Sequence, residues 1–167
     1  MATDEVEIVE AFHTGRTADA SSLLFEYMAA TEAEAGRSVP ASIDGLPASL
    51  RAECVAPATH YRPPDTVLLA LGETEPVGCV GIRALGPVRV EIQRLWVRPL
   101  WRGHGRGRAL MAAAHAHAER NGIEEVVLDV MPSRQRALDF YRSLGYVDTD
   151  PYTDEQHPMV YLRHVLK

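Results

Sequence analysis

The chain has 167 residues, 46% of them apolar and 24% charged, with a formal net charge of −6 at neutral pH. That length suits a single domain over residues 1–167 with a sizeable core, and no run approaches the roughly 18 apolar residues of a membrane span. The acidic balance argues against a nucleic-acid partner, the acidic stretch at residues 1–7 has no signal-peptide character, and Cys54 and Cys79 lack metal-ligand spacing, so a reduced, cytoplasmic setting with no metal is expected.

Residues 6–12 alternate weakly between apolar and polar and predict a first strand. Asp19 is placed to cap a helix running to about residue 35, with Leu23, Leu24, Tyr27, Met28 and Thr31 at helical spacing and Gly36 ending it. Residues 38–65 are punctuated by five prolines, and only 47–54 reads as a short helix. The apolar runs 66–71 and 77–85 form a hairpin through 72–76, and Gly86-Pro87 turns the chain into a strand over 88–97. In that strand Val88, Val90 and Ile92 share one phase while Leu95 and Val97 share the other, so an extra residue, a β-bulge, is expected between Ile92 and Leu95.

After the strand come Gly103, Gly105 and Gly107 on alternate positions, then an Ala-rich amphipathic helix over 108–121. Glycines bring a backbone close to a ligand, and a helix start directs unpaired N–H groups and the positive dipole end at the same place. Arg94, Arg98, Arg102, Arg106 and Arg108 surround this turn with no acidic residue among them, in an otherwise acidic chain. The expected ligand is a pyrophosphate. A Walker loop is excluded because no Lys-Ser or Lys-Thr follows, and the dinucleotide fingerprint fails because Arg108 or Leu110 stands where its last glycine or alanine belongs. His115 and His117, two apart on the helix, do not form a metal pair.

The remainder reads as a buried strand over 126–130, a helix over 134–144 capped by Ser133 and closed by Gly145, and two last strands over 146–149 and 159–166 joined by the polar loop 150–158. The whole is α+β: a single mixed sheet of about six to seven strands with helices on both faces.

Two motifs carry a family resemblance. Arg102-x-x-Gly105-x-Gly107 resembles the [QR]-x-x-G-x-[GA] loop of the GNAT acyltransferases, and Ala137, Phe140, Tyr141, Gly145 and Tyr146 match the A-x-x-F-Y-x-x-x-G-[FY] helix common in that superfamily. The resemblance is strong over residues 66–148 and rests on layout alone at the ends. It implies a GNAT fold and an N-acetyltransferase that binds acetyl-coenzyme A (acetyl-CoA) through the loop of Arg102, Gly103, His104, Gly105, Arg106, Gly107 and Arg108. It further implies that the Leu95 N–H polarises the acetyl carbonyl, that Trp96 and Val97 run beside the pantetheine arm, and that Tyr141 protonates the departing thiolate. Glu91, six residues before Val97, is the candidate base, alongside a water chain or a structural pairing of Glu91 with Arg83 or Arg89.

Where relatives often carry a cofactor-binding Asn, this chain has Arg134; with Arg136 it sits at a helix start, facing solvent or meeting an anion such as a cofactor phosphate or substrate carboxylate. Tyr141 also falls on the helix's buried stripe. The expected partner is a small-molecule amine, with a protein N-terminus or lysine as the alternative and a non-catalytic acyl-CoA sensor as a rival of another class. A homodimer stays open.

Overall fold

A computed structural model describes residues 6–167, so residues 1–5 of the acidic N-terminal stretch lie outside it. The strands are β1 (Glu7–Glu10), β2 (Thr66–Leu71), β3 (Pro76–Ala84), β4 (Arg89–Val97), β5 (Glu125–Val130), β6 (Val147–Asp148) and β7 (Val160–Val165). They form one seven-stranded sheet in the order β1-β2-β3-β4-β5-β7-β6, antiparallel throughout except for the β4–β5 pair. The helices are α1 (Thr17–Glu34), α2 (Ala48–Val55), α3 (Pro57–His60), α4 (Arg106–Arg120) and α5 (Gln135–Ser143). Among the described residues no helix is long and apolar enough to cross a membrane.

Strand alternation divides the core between the two faces of the sheet. Leu68, Val80, Ile82, Val90 and Ile92 point towards α4 and α5, where Leu110, Met111, Ala114 and Leu138 meet them. Val67, Leu69 and Cys79 point the other way, onto Leu23, Leu24 and Met28 of α1 and onto Cys54 and Tyr61. The expected α+β sheet with helices on both faces is therefore present, and both cysteines are free and buried.

Several boundaries differ from expectation for identifiable reasons. Asp19 is not the cap of α1: Arg16 holds that position, and Asp19 sits in the first turn accepting a 2.9 Å hydrogen bond from its guanidinium. Ser133 likewise yields the cap position of α5 to Arg134. α4 begins two residues before the predicted start, because Gly105 in the left-handed region (φ 76°) turns the chain directly into the helix at Arg106. The one-turn segments Ile43–Gly45 and Pro57–His60 are too short to show a period.

Gly81 marks a close approach. A Cβ there would lie 2.7 Å from the Tyr61 hydroxyl, and Tyr61 is fully buried. Gly81→Ala is expected to lower unfolding free energy by about 1–3 kcal/mol, the usual cost of overpacking, read as a reduced denaturant midpoint at unchanged m-value. An unchanged midpoint would show that the ring moves aside freely.

Candidate active site

The parallel ladder between β4 and β5 covers only Arg89–Glu91 opposite Glu125–Val127, so the two strands part from Ile92 onwards. The bulge expected from the phase slip lies at the same point. Cys79 opposes Trp96 and Gly81 opposes Gln93, leaving Val80 opposite both Arg94 and Leu95. Arg94 has φ 55° and is the one non-glycine in the left-handed region among the described residues, a conformation costing roughly 1–2 kcal/mol. A bulge bends its strand and frees main-chain groups from the ladder, here the ladder between β3 and β4, beside the point where β4 parts from β5.

Two cavities meet in this gap. One, of about 470 Å³, is walled by Glu91, Gln93 and Leu95 of β4, Leu128 and Asp129 of β5, and Tyr27 of α1. The other is a groove of about 620 Å³ along Leu95, Trp96 and Val97 and under the loop of Arg102, Gly103, Gly105, Arg106, Gly107 and Arg108. Leu95, Ala137 and Tyr141 line both. Chain segments far apart in sequence thus bring the predicted loop, strand and tyrosine to one place. His104 stays exposed outside the groove lining, its Nδ1 2.9 Å from the Arg102 carbonyl.

The loop has the character of an anion cradle. Gly103 and Gly105 adopt φ 79° and 76° with nothing within 4 Å of a Cβ position, so conformation rather than crowding selects glycine there. Gly107, in contrast, already belongs to the first turn of α4. The first intrahelical bond runs from the Ala109 N–H to the Gly105 carbonyl at 3.0 Å, so the N–H groups of residues 105–108 have no partner within the helix. Oriented donors and a helix dipole suit a pyrophosphate.

The arginine cluster is smaller than its spacing suggested. Arg94 turns to Glu53, Nη2 to Oε2 at 3.1 Å, and Arg98 bonds Glu26 and Glu75 at 2.8 Å each. These carboxylates, on α1, on α2 and in the β2–β3 loop, draw both side chains away from the loop. Beside the groove remain Arg102, bonded to the Val97 carbonyl at 2.8 Å, Arg106, stacked 4.8 Å from the Trp101 ring, and Arg108, bonded to Ser143 at 2.9 Å.

Glu91, 8% exposed, accepts a hydrogen bond from the Gln93 amide. The alternative pairings are taken elsewhere: Arg83 lies 3.9 Å from Asp65, and Arg89 bonds Glu125 at 2.7 Å. Facing Glu91 across the gap is Asp129, whose carboxyl is pushed up to about 6 by burial first and then by the charges of Glu91 and Glu155. The loop between β6 and β7 closes on the same spot, since burial, then Glu91 and Asp129, push the Tyr152 phenol above its ordinary range. Asp129 is not among the residues that the sequence motifs single out, since 126–130 reads as a buried apolar-rich strand; the acid inside that run is the available signal. Burial, helped by Tyr27, also holds the Tyr141 phenol well above the usual tyrosine range.

Arg134 does meet an anion, supplied by the chain itself. It bonds Glu34 at 2.7 Å, with Tyr27 and Thr31 at 3.3 Å, tying the start of α5 to α1. It lines the 470 Å³ cavity rather than the loop groove, and the expectation of a solvated arginine is corrected accordingly. Arg136 is exposed and does line the groove.

Comparison with known proteins agrees with this geometry. Residues 30–146 match the family model described as Acetyltransferase (GNAT) family. An uncharacterized N-acetyltransferase of Schizosaccharomyces pombe is 32% identical over 115 residues, 66% of this chain and 71% of that protein. Among solved structures, a GNAT-family acetyltransferase of Staphylococcus aureus superposes with a TM-score of 0.75 at 14% identity, covering 98% of this chain and 100% of its own. An aminoglycoside 6′-N-acetyltransferase complexed with coenzyme A gives 0.72 at 16% identity, with coverage of 96% and 97%. At these identities the two structures speak for the fold.

Proposed function

The chain belongs to the GNAT acetyltransferase family, and from that premise we propose that it transfers the acetyl group of acetyl-CoA directly to a small amine while both are bound. The carrying observation is the junction of the two cavities at Leu95 and Tyr141. A diphosphate held by the 103–108 backbone would run its thioester along Trp96 and Val97 to that junction, where an amine arriving through the other cavity meets it.

Acetyl-CoA supplies an activated carbonyl. In this reading the Leu95 N–H stabilises negative charge growing on its oxygen. As the C–N bond forms and the C–S bond breaks, the amine proton passes to a carboxylate or a water beside it, the thiolate draws the Tyr141 proton along their hydrogen bond, and the proton taken from the amine replaces it on the phenol. A thiol of pKa about 8.5 departs as an anion, so a donor beside the sulfur lowers the barrier.

Charge favours an amine in the second cavity. Its three arginines are engaged with carboxylates, Arg83 with Asp65, Arg94 with Glu53 and Arg134 with Glu34. Glu91, Asp129 and Glu155 remain on its walls to attract an ammonium ion and then take its proton. Its volume falls in the range of small-molecule sites, roughly 300–1,000 Å³.

Thiol release from acetyl-CoA, measured against monoamines, α,ω-diamines, amino acids and peptides with a free N-terminus or lysine, tests this reading. Turnover with small amines supports it; turnover with peptides alone, or with none of them, overturns it. Asp129 also sets a pH dependence, because its carboxylate accepts a proton only when ionised. At saturating acceptor, kcat is expected to fall as pH drops through about 6. That inflection should vanish in Asp129→Asn, whereas one belonging to the amine would persist in both proteins.

A further inference from the structure

The strained residue in the bulge has an anchor outside the site. We infer that Glu53 of α2 is a positioning residue that holds Arg94 in its left-handed conformation and thereby keeps the Leu95 N–H turned into the gap.

Glu53 is 1% exposed, and three groups converge on it: the Arg94 guanidinium (Nη2 3.1 Å, Nε 3.3 Å), the Tyr61 hydroxyl, which donates at 2.5 Å, and the His60 ring at 3.8 Å. Tyr61 is in turn seated against Gly81, the residue opposite Gln93 at the edge of the bulge. The Arg94 carbonyl lies 3.4 Å from the Cys79 thiol, which donates to it. Arg94 thus has its side chain fixed by α2 and its carbonyl by β3. A left-handed arginine is unfavourable by itself and persists where its surroundings over-determine it. Releasing the guanidinium lets residue 94 relax to extended backbone, which removes the bulge and rotates the next N–H away.

This inference rests on the proposed role of Leu95, and the experiment separates the two. Glu53→Gln is expected to bind acetyl-CoA within about threefold of wild type by calorimetry, while kcat for the best small amine falls about ten- to a hundredfold. Adding Arg94→Gly should restore kcat to within about threefold, because glycine adopts the left-handed region without an anchor and neither buried charge remains.

Turnover of Glu53→Gln equal to wild type, or a double variant as slow as the single, overturns the inference. Should Glu53→Gln fail to fold, the double variant alone decides: near-wild-type turnover supports the anchor, and slow turnover by a folded protein overturns it. Amide exchange at residues 93–97 reads the bulge independently of catalysis. Faster exchange in Glu53→Gln that returns to the wild-type rate in the double variant supports the anchor even if acetyl-CoA fails to bind wild type and the functional reading falls. Unchanged exchange overturns the anchor.

Discussion

Gly105→Val is expected to weaken acetyl-CoA binding about ten- to a hundredfold, measured as Kd by calorimetry. The residue sits at φ 76°, and a Cβ there meets nothing within 4 Å, so crowding at that atom is not the obstacle. What it introduces is backbone strain of roughly 1–3 kcal/mol for a β-branched side chain in the left-handed region, and each 1.4 kcal/mol is about tenfold in affinity. The chain can relieve that strain only by leaving the conformation in which the N–H groups of residues 105–108 converge.

Arg106→Ala provides the contrast. Arg106 is 6% exposed and packs on Trp101, so its loss should lower the melting temperature more than the affinity. Equal losses of affinity in the two variants would show that side-chain charge, rather than the main chain, holds the diphosphate.

Tyr141→Phe is expected to lower kcat by about a hundredfold or more, within the usual range for losing a positioned acid, with acetyl-CoA affinity within about threefold. The phenol lies where the groove and the cavity meet, and burial raises its pKa, so it keeps its proton across the working pH range and has that proton ready to hydrogen-bond to the departing sulfur. Tyr146→Phe is the control, since that hydroxyl is 2.7 Å from the His115 Nε2 on the far side of the helix contact. A full-speed Tyr141→Phe enzyme would mean that the thiolate leaves unassisted.

The features legible in the sequence were those with a local cause. Continuous apolar runs predict β2 over its full extent and β3 and β5 to within a residue, and one slip of phase puts the bulge between Ile92 and Leu95, where Arg94 adopts its positive φ. The glycine spacing of the loop points to the groove for the same reason, because turn conformation is a property of a short segment, whereas the Phe140-Tyr141 pair points there only through its resemblance to the GNAT helix motif.

What stayed hidden depends on residues distant in the chain. Glu53 and Glu26, the helix carboxylates that hold Arg94 and Arg98, lie 41 and 72 positions away, so no local spacing could tell a cradle arginine from one held by a carboxylate on a facing helix. Glu53 itself lies in the proline-punctuated stretch, and its burial is a property of the packed molecule. Asp129 sits within an apolar-rich strand, and only the parting of β4 from β5 beside it gives its carboxylate a cavity to line.

The two buried cysteines have a practical corollary. Burial pushes the Cys54 thiol up to about 11 and the Cys79 thiol higher still, and both side chains are sealed from solvent. Because the thiolate is the reactive species, chromogenic disulfide reagents should leave the native polypeptide untouched and colour only with liberated coenzyme, making continuous optical screening of acceptors free of background from the catalyst.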